Sequence, residues 1–170
     1  HIFQSSDGVW HLWACIRATK VGRILYHWTA DDIRESPWNS TGEFFRRDES
    51  YGESVNGWGN EEWLQSPYFV QAGGLWYMFY GGHGTGGGVD DGNDYGDDRT
   101  MPGQICLMTS VDGCNWVRHA NTEGKSRVFA GPGEVRDPCL LNVDGTWYCY
   151  YAGYDNGDRL NHGFYCRTSE

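Results

Sequence analysis

A chain of 170 residues with 13 basic and 23 acidic side chains carries a net charge of −10, which disfavours nucleic acid and anionic membranes and leaves a neutral or cationic partner. The length suits one domain with a sizeable core, and 16% aromatic residues together with 25 Gly point to a turn-rich β protein rather than a helical bundle. No run of about 18 apolar residues occurs, so no membrane-spanning helix is encoded.

The chain opens on strand-like sequence at His1, with neither Met nor a signal peptide, and so reads as a processed product or a piece of something longer. HIFQSSDGVWHLWAC (1–15) reads as strand, Gly turn, aromatic strand, and ILYHWTADD (24–32) as a short alternating strand ending in a polar turn. Asn39-Ser40-Thr41 is a formal glycosylation sequon, relevant to a protein secreted by a eukaryote. SPYFVQAGGLWYMFYGG (66–82) repeats the strand, Gly turn, aromatic strand pattern. An acidic Gly-rich loop (81–103) follows. Its Asp90, Asp91, Asn93, Asp94, Asp97 and Asp98 offer hard oxygen ligands to a calcium ion, although their spacing is not that of an EF-hand and a solvated loop is the alternative. ICLMTSVDG (105–113) is the next alternating strand, and CNWVRHA (114–120) an outer one. DPCLLNVDGTWYCYYAG (137–153) and FYCRTSE (164–170) close the chain with the same pair of strand patterns.

These segments are copies of one another. Residues 66–82 align without a gap on 137–153 at an offset of 71, pairing Pro67 with Pro138, Gly74 with Gly145, Trp76 with Trp147 and Tyr77 with Tyr148. Residues 1–15 match the middle copy at an offset of 66, with Gly8 and Trp10 in register, and the three second-half strands align on Thr29, Thr109 and Thr168. The repeating unit is about four short antiparallel strands, the content of one β-propeller blade, with units at about 1–57, 58–128 and 129–170. A generic sandwich requires no such period. Because a propeller must close to hide its strand edges, so few blades imply a fragment or completion by another chain.

Six Cys contain no CxxC pair, and the six His show neither HExxH nor paired spacing, so no metal site is expected from spacing. Cys139 and Cys149 flank one turn and are a candidate bridge, with free buried thiols as the alternative.

RDPCLLNVDGTWYCYYAG followed by FYCRTSE, and WLQSPYFVQAGGLWYMFYGG followed by ICLMTSVDGCNW, resemble the five-bladed β-propeller glycosidases, the clan of arabinanases, xylosidases, invertases and levansucrases. WHLWACIRATKVGRILYHW (10–28) is similar to the opening blade of bacterial members. The resemblance covers essentially the whole chain and implies an all-β fold of about two and a half four-stranded blades. It also implies acidic residues at the starts of the innermost strands, where an oxocarbenium-like centre needs a negative charge and a poor leaving group needs a proton. By that resemblance Asp137, in Arg-Asp-Pro, matches the Asp that steadies the transition state. Arg136 matches a substrate or carboxylate clamp, and Glu134 is the nearby acid. The reading from local sequence alone is that Asp137 caps its turn.

The middle blade departs from the pattern. Gln65 stands two residues before Pro67, where a Glu acid would sit, and an amide hydrogen-bonds a sugar hydroxyl but delivers no proton. Glu61 and Glu62 read as a solvated pair. Trp63 is a candidate for sugar stacking or for packing between blades, and His83 and His162 read as loop residues that are candidates for ligand contact, with an ordinary exposed loop His as the alternative. No cofactor is required by this chemistry. The functional expectation is an extracellular or periplasmic propeller of glycoside-hydrolase type that binds and hydrolyses a neutral oligo- or polysaccharide. The alternative is a non-catalytic carbohydrate-binding or structural propeller that self-assembles.

Overall fold

The structure is a computed structural model that describes residues 1–53, 62–82, 103–131, 135–154 and 162–169. Nearly all of the regular structure is strand. In the first sheet β1 (Ile2–Gln4), β2 (Trp10–Thr19), β3 (Gly22–Ala30) and β4 (Asn39–Phe45) pair antiparallel in sequence order. In the second, β5 (Glu62–Ala72), β6 (Leu75–Gly82) and β7 (Gln104–Ser110) do the same, and two short strands, β8 (Val117–Arg118) and β9 (Arg127–Ala130), both pair with β7. The third sheet holds β10 (Arg136–Val143), β11 (Thr146–Tyr154) and β12 (His162–Ser169). A brief parallel contact, Gly22 opposite Glu62 and Arg23 opposite Trp63, ties the first sheet to the second. Among the described residues no helix is long and apolar enough to cross a membrane.

Period-two alternation explains the strands. In β6, Trp76, Met78 and Tyr80 are buried while Leu75, Tyr77 and Phe79 are only partly so, as a pleated strand between two unequal faces requires. The turns before β6 and β11 are copies of one another. Gly73-Gly74 (φ 59° and 79°) and Asp144-Gly145 (φ 50° and 89°) both place two successive residues in the left-handed region that a tight hairpin needs.

Aromatic side chains fill the space between sheets. Phe3, Trp13, Leu25, Leu64, Phe69, Trp76, Met78 and Tyr80 form the core between the first and second sheets, with the Phe3 and Phe69 rings 4.5 Å apart. Each such side chain contributes about 1.5–3 kcal/mol on full burial. A smaller cluster of Ile105, Val135, Cys149 and Tyr151 joins the second sheet to the third. A cleft of about 450 Å³ adjoins it, lined by Val70, Phe79, Phe129, Leu140 and Trp147 among others. The opposite face of the third sheet is open, with Leu141, Val143, Tyr150 and Phe164 all exposed and Phe164 90% so.

Several sequence expectations change here. The outer strand expected over 114–120 shrinks to Val117–Arg118. The Asp112 carboxylate takes the Cys114 and Asn115 backbone N–H groups and the Asn115 side-chain amide, each at 2.8 Å, and holds 112–115 as a turn. All six cysteines are free. Cys139 lies opposite Tyr150 while Cys149 lies opposite Leu140, so the two thiols point to opposite faces of the sheet and do not bridge. Glu62 is not part of a solvated pair. It is 3% exposed and accepts from Arg46 Nε at 2.7 Å and from the Arg47 N–H at 3.1 Å. The acidic loop with its candidate calcium ligands lies outside the described residues, as do Glu61, His83 and Glu134.

Candidate functional site

The ladders β5–β6 and β10–β11 slip at equivalent places, between Gln65 and Tyr68 and between Arg136 and Cys139. Each slip contains a proline, Pro67 or Pro138, whose missing N–H cannot join the ladder, so the strand bulges there. The residue before each proline takes up the irregularity, Ser66 at φ 54° and Asp137 at φ 56°. A left-handed conformation costs a residue with a side chain about 1–2 kcal/mol. Two such residues side by side mark a place where the surrounding structure holds strain, and strain of this kind collects at functional sites.

The two bulges meet. The Ser66 hydroxyl donates to Asp137 Oδ1, across the 71-residue offset that makes the two positions equivalent in the repeat. The other carboxylate oxygen faces Arg136 Nε at 3.6 Å, and the Asp137 side chain is 58% exposed. Deeper along the same strands, Cys139 Sγ lies 3.6 Å from the Tyr68 hydroxyl, which donates to the Leu140 carbonyl at 3.4 Å. The first strands of the second and third sheets are thus fastened side by side, with Asp137 at their open end.

Arginines of the first sheet gather on the same side. Arg23, from β3, lies over the Trp63 ring at 3.7 Å and donates Nη1 to Gln65 Oε1 at 2.6 Å. Burial pushes the Cys15 thiol up, Arg23 and Arg17 pull it back down, and Asp137 adds to the rise. Three charges from two sheets therefore act on one half-buried thiol, which itself donates to the Leu64 carbonyl at 3.5 Å. A mixed-sign rim of this kind offers a polyhydroxylated ligand both donors and an acceptor.

Asp137 and Arg136 stand together as the sequence suggests. Gln65 and Trp63 precede Ser66 on β5 but are only 2% and 4% exposed, and both engage Arg23, so their place is behind that guanidinium rather than in open contact with a sugar. His162 starts β12, opposite Tyr154, at the same end of the third sheet. Glu134 and His83 lie outside the described residues. Sequence reasoning misses Ser66 and Arg23. Ser66 is within its reach, because the repeat alignment that pairs Pro67 with Pro138 also pairs Ser66 with Asp137. Arg23 is not, since nothing local ties β3 to β5.

No protein-family model and no curated protein sequence matches the chain. Solved structures do. A glycoside hydrolase aligns over 99% of this chain and 44% of its own, with a TM-score of 0.62 and 14% identity. An alpha-L-arabinofuranosidase from Lactobacillus brevis aligns over 98% and 47%, with a TM-score of 0.57 and 12% identity. A levansucrase from Bacillus subtilis aligns over 99% and 49%, with a TM-score of 0.54 and 14% identity. The chain spans less than half the length of each of these neighbours. At such identities the likeness is one of fold, and the fold of this chain is that of the five-bladed β-propeller glycosidases, of which it holds about two and a half four-stranded blades.

Proposed function

We propose that the chain supplies the sugar-binding part of a propeller glycoside hydrolase acting on a neutral oligo- or polysaccharide outside the cytoplasm, in an extracellular or periplasmic setting. The observation that carries this reading is Asp137, an exposed carboxylate in a left-handed conformation, held by Ser66 and facing Arg136 where two innermost strands begin. A fixed negative charge at that place stabilises positive charge developing on an anomeric carbon, and it does so without reorganising during the reaction. Arg136, Arg23 and Arg17 supply donors for sugar hydroxyls. Gln65 and Trp63 act through Arg23, and His83 and His162, the latter at the start of β12, are proposed as further ligand contacts. Glu134, three residues before Asp137, is the proposed second carboxylate, and its separation from its partner carboxylate sets retention or inversion.

The test is release of reducing sugar from arabino-, xylo- and fructo-oligosaccharides, run beside binding measurements on the same panel. Hydrolysis of one class, with turnover lowered about 10²-fold or more by Asp137→Asn, is the expected result. Saccharide turnover or binding unaffected by Asp137→Asn, or no saccharide bound at all, overturns it.

A second reading, a carbohydrate-binding or structural propeller that self-assembles, is favoured by the open face of the third sheet with Leu141, Val143, Tyr150 and Phe164. An apolar sheet face of this kind is covered in a closed propeller by the next blade, here by further chain or by a second copy. Binding without turnover, together with association in solution, would select this reading.

A further inference from the structure

The turns at the far end of the central strands hold a second polar cluster that plays no part in the saccharide site. Asp137 is the second residue of β10, and Ser66 beside it lies toward the Glu62 end of β5. The turn after β7 packs at the other end, where a Cβ on Gly113 would come within 3.2 Å of Phe3 and Ser5 and 3.3 Å of Trp76. There Asp7 from the β1–β2 turn, His11 from β2 and Cys114 from the turn after β7 bring a carboxylate oxygen, an imidazole nitrogen and a thiol sulfur within 4.8 Å of one another. We propose that Asp7, His11 and Cys114 form a binding site for a zinc-type divalent cation, with its fourth position open to water.

The donor set and spacing fit such an ion. Carboxylate, imidazole and thiolate together suit borderline zinc(II) rather than hard calcium or magnesium. Bonds of about 2.0 Å to nitrogen and 2.3 Å to sulfur in a tetrahedral site place those two ligands about 3.5 Å apart. His11 Nε2 and Cys114 Sγ stand 3.9 Å apart, so only a small closure is needed. Both flanking turns are already fixed: Asp7 accepts from the Val9 N–H at 3.1 Å, and Asp112 accepts from the Cys114 N–H at 2.8 Å.

A chain of hydrogen bonds runs behind His11. His11 Nδ1 lies 2.8 Å from His27 Nε2, the two rings nearly coplanar with centroids 5.0 Å apart, and His27 Nδ1 lies 3.1 Å from Glu43 Oε2. Ligation through Nε2 requires the Nδ1–H tautomer of His11, whose hydrogen then goes to His27 Nε2 while His27 Nδ1–H goes to the Glu43 carboxylate. The Thr41 hydroxyl, also 3.1 Å from His27 Nδ1, then donates to the His27 carbonyl at 3.1 Å. In the metal-free chain the Ser5 hydroxyl gives its one hydrogen to Asp7 and accepts from His11 Nε2–H at 2.8 Å, so metal binding also moves the His11 hydrogen from Nε2 to Nδ1. The hydroxyl must then turn aside, with the Val9 carbonyl at 3.1 Å as its remaining acceptor. Cys114 loses its thiol proton to solvent as the metal–sulfur bond forms.

The experiment is titration of the metal-free chain with cobalt(II), followed by absorbance, and with zinc(II), followed by calorimetry. One equivalent of cobalt should give a thiolate-to-cobalt charge-transfer band that zinc abolishes. Cys114→Ser should lose the band, and Cys114→Ser and Asp7→Asn should each bind zinc at least about tenfold more weakly. Glu43→Gln should keep the band and weaken binding by up to about tenfold, because it acts on His11 only through His27. Circular dichroism of each variant matching the parent separates lost ligation from lost folding. Absence of a stoichiometric cobalt complex, a charge-transfer band that survives Cys114→Ser, or equal zinc affinity in the parent and all three variants overturns the proposal.

Discussion

Replacing Asp137 in three ways separates a strained functional carboxylate from an ordinary turn residue. Its backbone sits at φ 56°, its side chain accepts from Ser66, and it is 58% exposed. Asp137→Ala and Asp137→Gly both remove the carboxylate and its hydrogen bond, so those losses cancel when the two variants are compared. Alanine keeps the left-handed cost of about 1–2 kcal/mol. Glycine escapes it but gives up about 0.5–1 kcal/mol through the greater freedom of the unfolded chain. The glycine variant should therefore equal or exceed the alanine variant in stability by up to about 1.5 kcal/mol, reversing the order found in an ordinary strand. Asp137→Asn tolerates the same backbone and keeps an oxygen for Ser66, so its stability should stay within about 0.5 kcal/mol of the parent while sugar turnover is lost. Urea unfolding of the three variants at neutral pH, with the denaturant slope checked for constancy, measures these differences. An alanine variant more stable than the glycine variant by about 0.5 kcal/mol or more would refute the strain argument.

Glu53 is fully buried and accepts from both Arg118 Nε and Nη2 at 2.9 Å and from Ser126 Oγ at 2.9 Å. Glu53→Ala should cost about 3–5 kcal/mol by leaving Arg118 with a buried uncompensated charge, and Arg118→Met added to it should recover part of that loss; strict additivity in the double mutant would contradict this. Burial pushes the Cys149 thiol from 9.0 up to about 11, and Tyr80 shifts in the same direction. A raised folded-state value contributes stability that is fully present below the unfolded value and is lost as pH rises through the folded one, so the urea midpoint should hold up to pH 9 and fall toward pH 11. Cys149→Ala should flatten part of that fall, and an unchanged slope would remove Cys149 as a cause. Phe164, 90% exposed, should govern association if the open face of the third sheet docks another copy. Phe164→Glu should then shift sedimentation velocity profiles of self-associated material toward monomer, and an unchanged distribution would place the contact elsewhere.

Much of the fold is legible in the sequence because each blade repeats one local solution. The pairs Gly73-Gly74 and Asp144-Gly145 fix equivalent hairpins, and Pro67 and Pro138 open equivalent bulges, so positions 71 residues apart in the chain, Ser66 and Asp137, come to stand side by side in space. The length of the outer strand is not legible, since Asp112 withdraws the backbone groups of Cys114 and Asn115 into a turn that competes with the ladder. Glu62 reads as solvated because its neighbour in sequence is also acidic, yet its partners Arg46 and Arg47 arrive from beyond β4.

Sequence alone determined the strand periodicity and the turns, because period-two alternation and glycine in left-handed turns are local constraints on a few consecutive residues, whereas the place of Asp137 at the start of an innermost strand rests on the family resemblance. Tertiary structure alone decided which side chains meet between sheets: Arg23 over Trp63 and bonded to Gln65, and Cys114 beside a His11 that is 103 residues away. Those contacts depend on how one sheet seats against the next, which is set by aromatic packing across the interface and leaves no spacing along the chain to read.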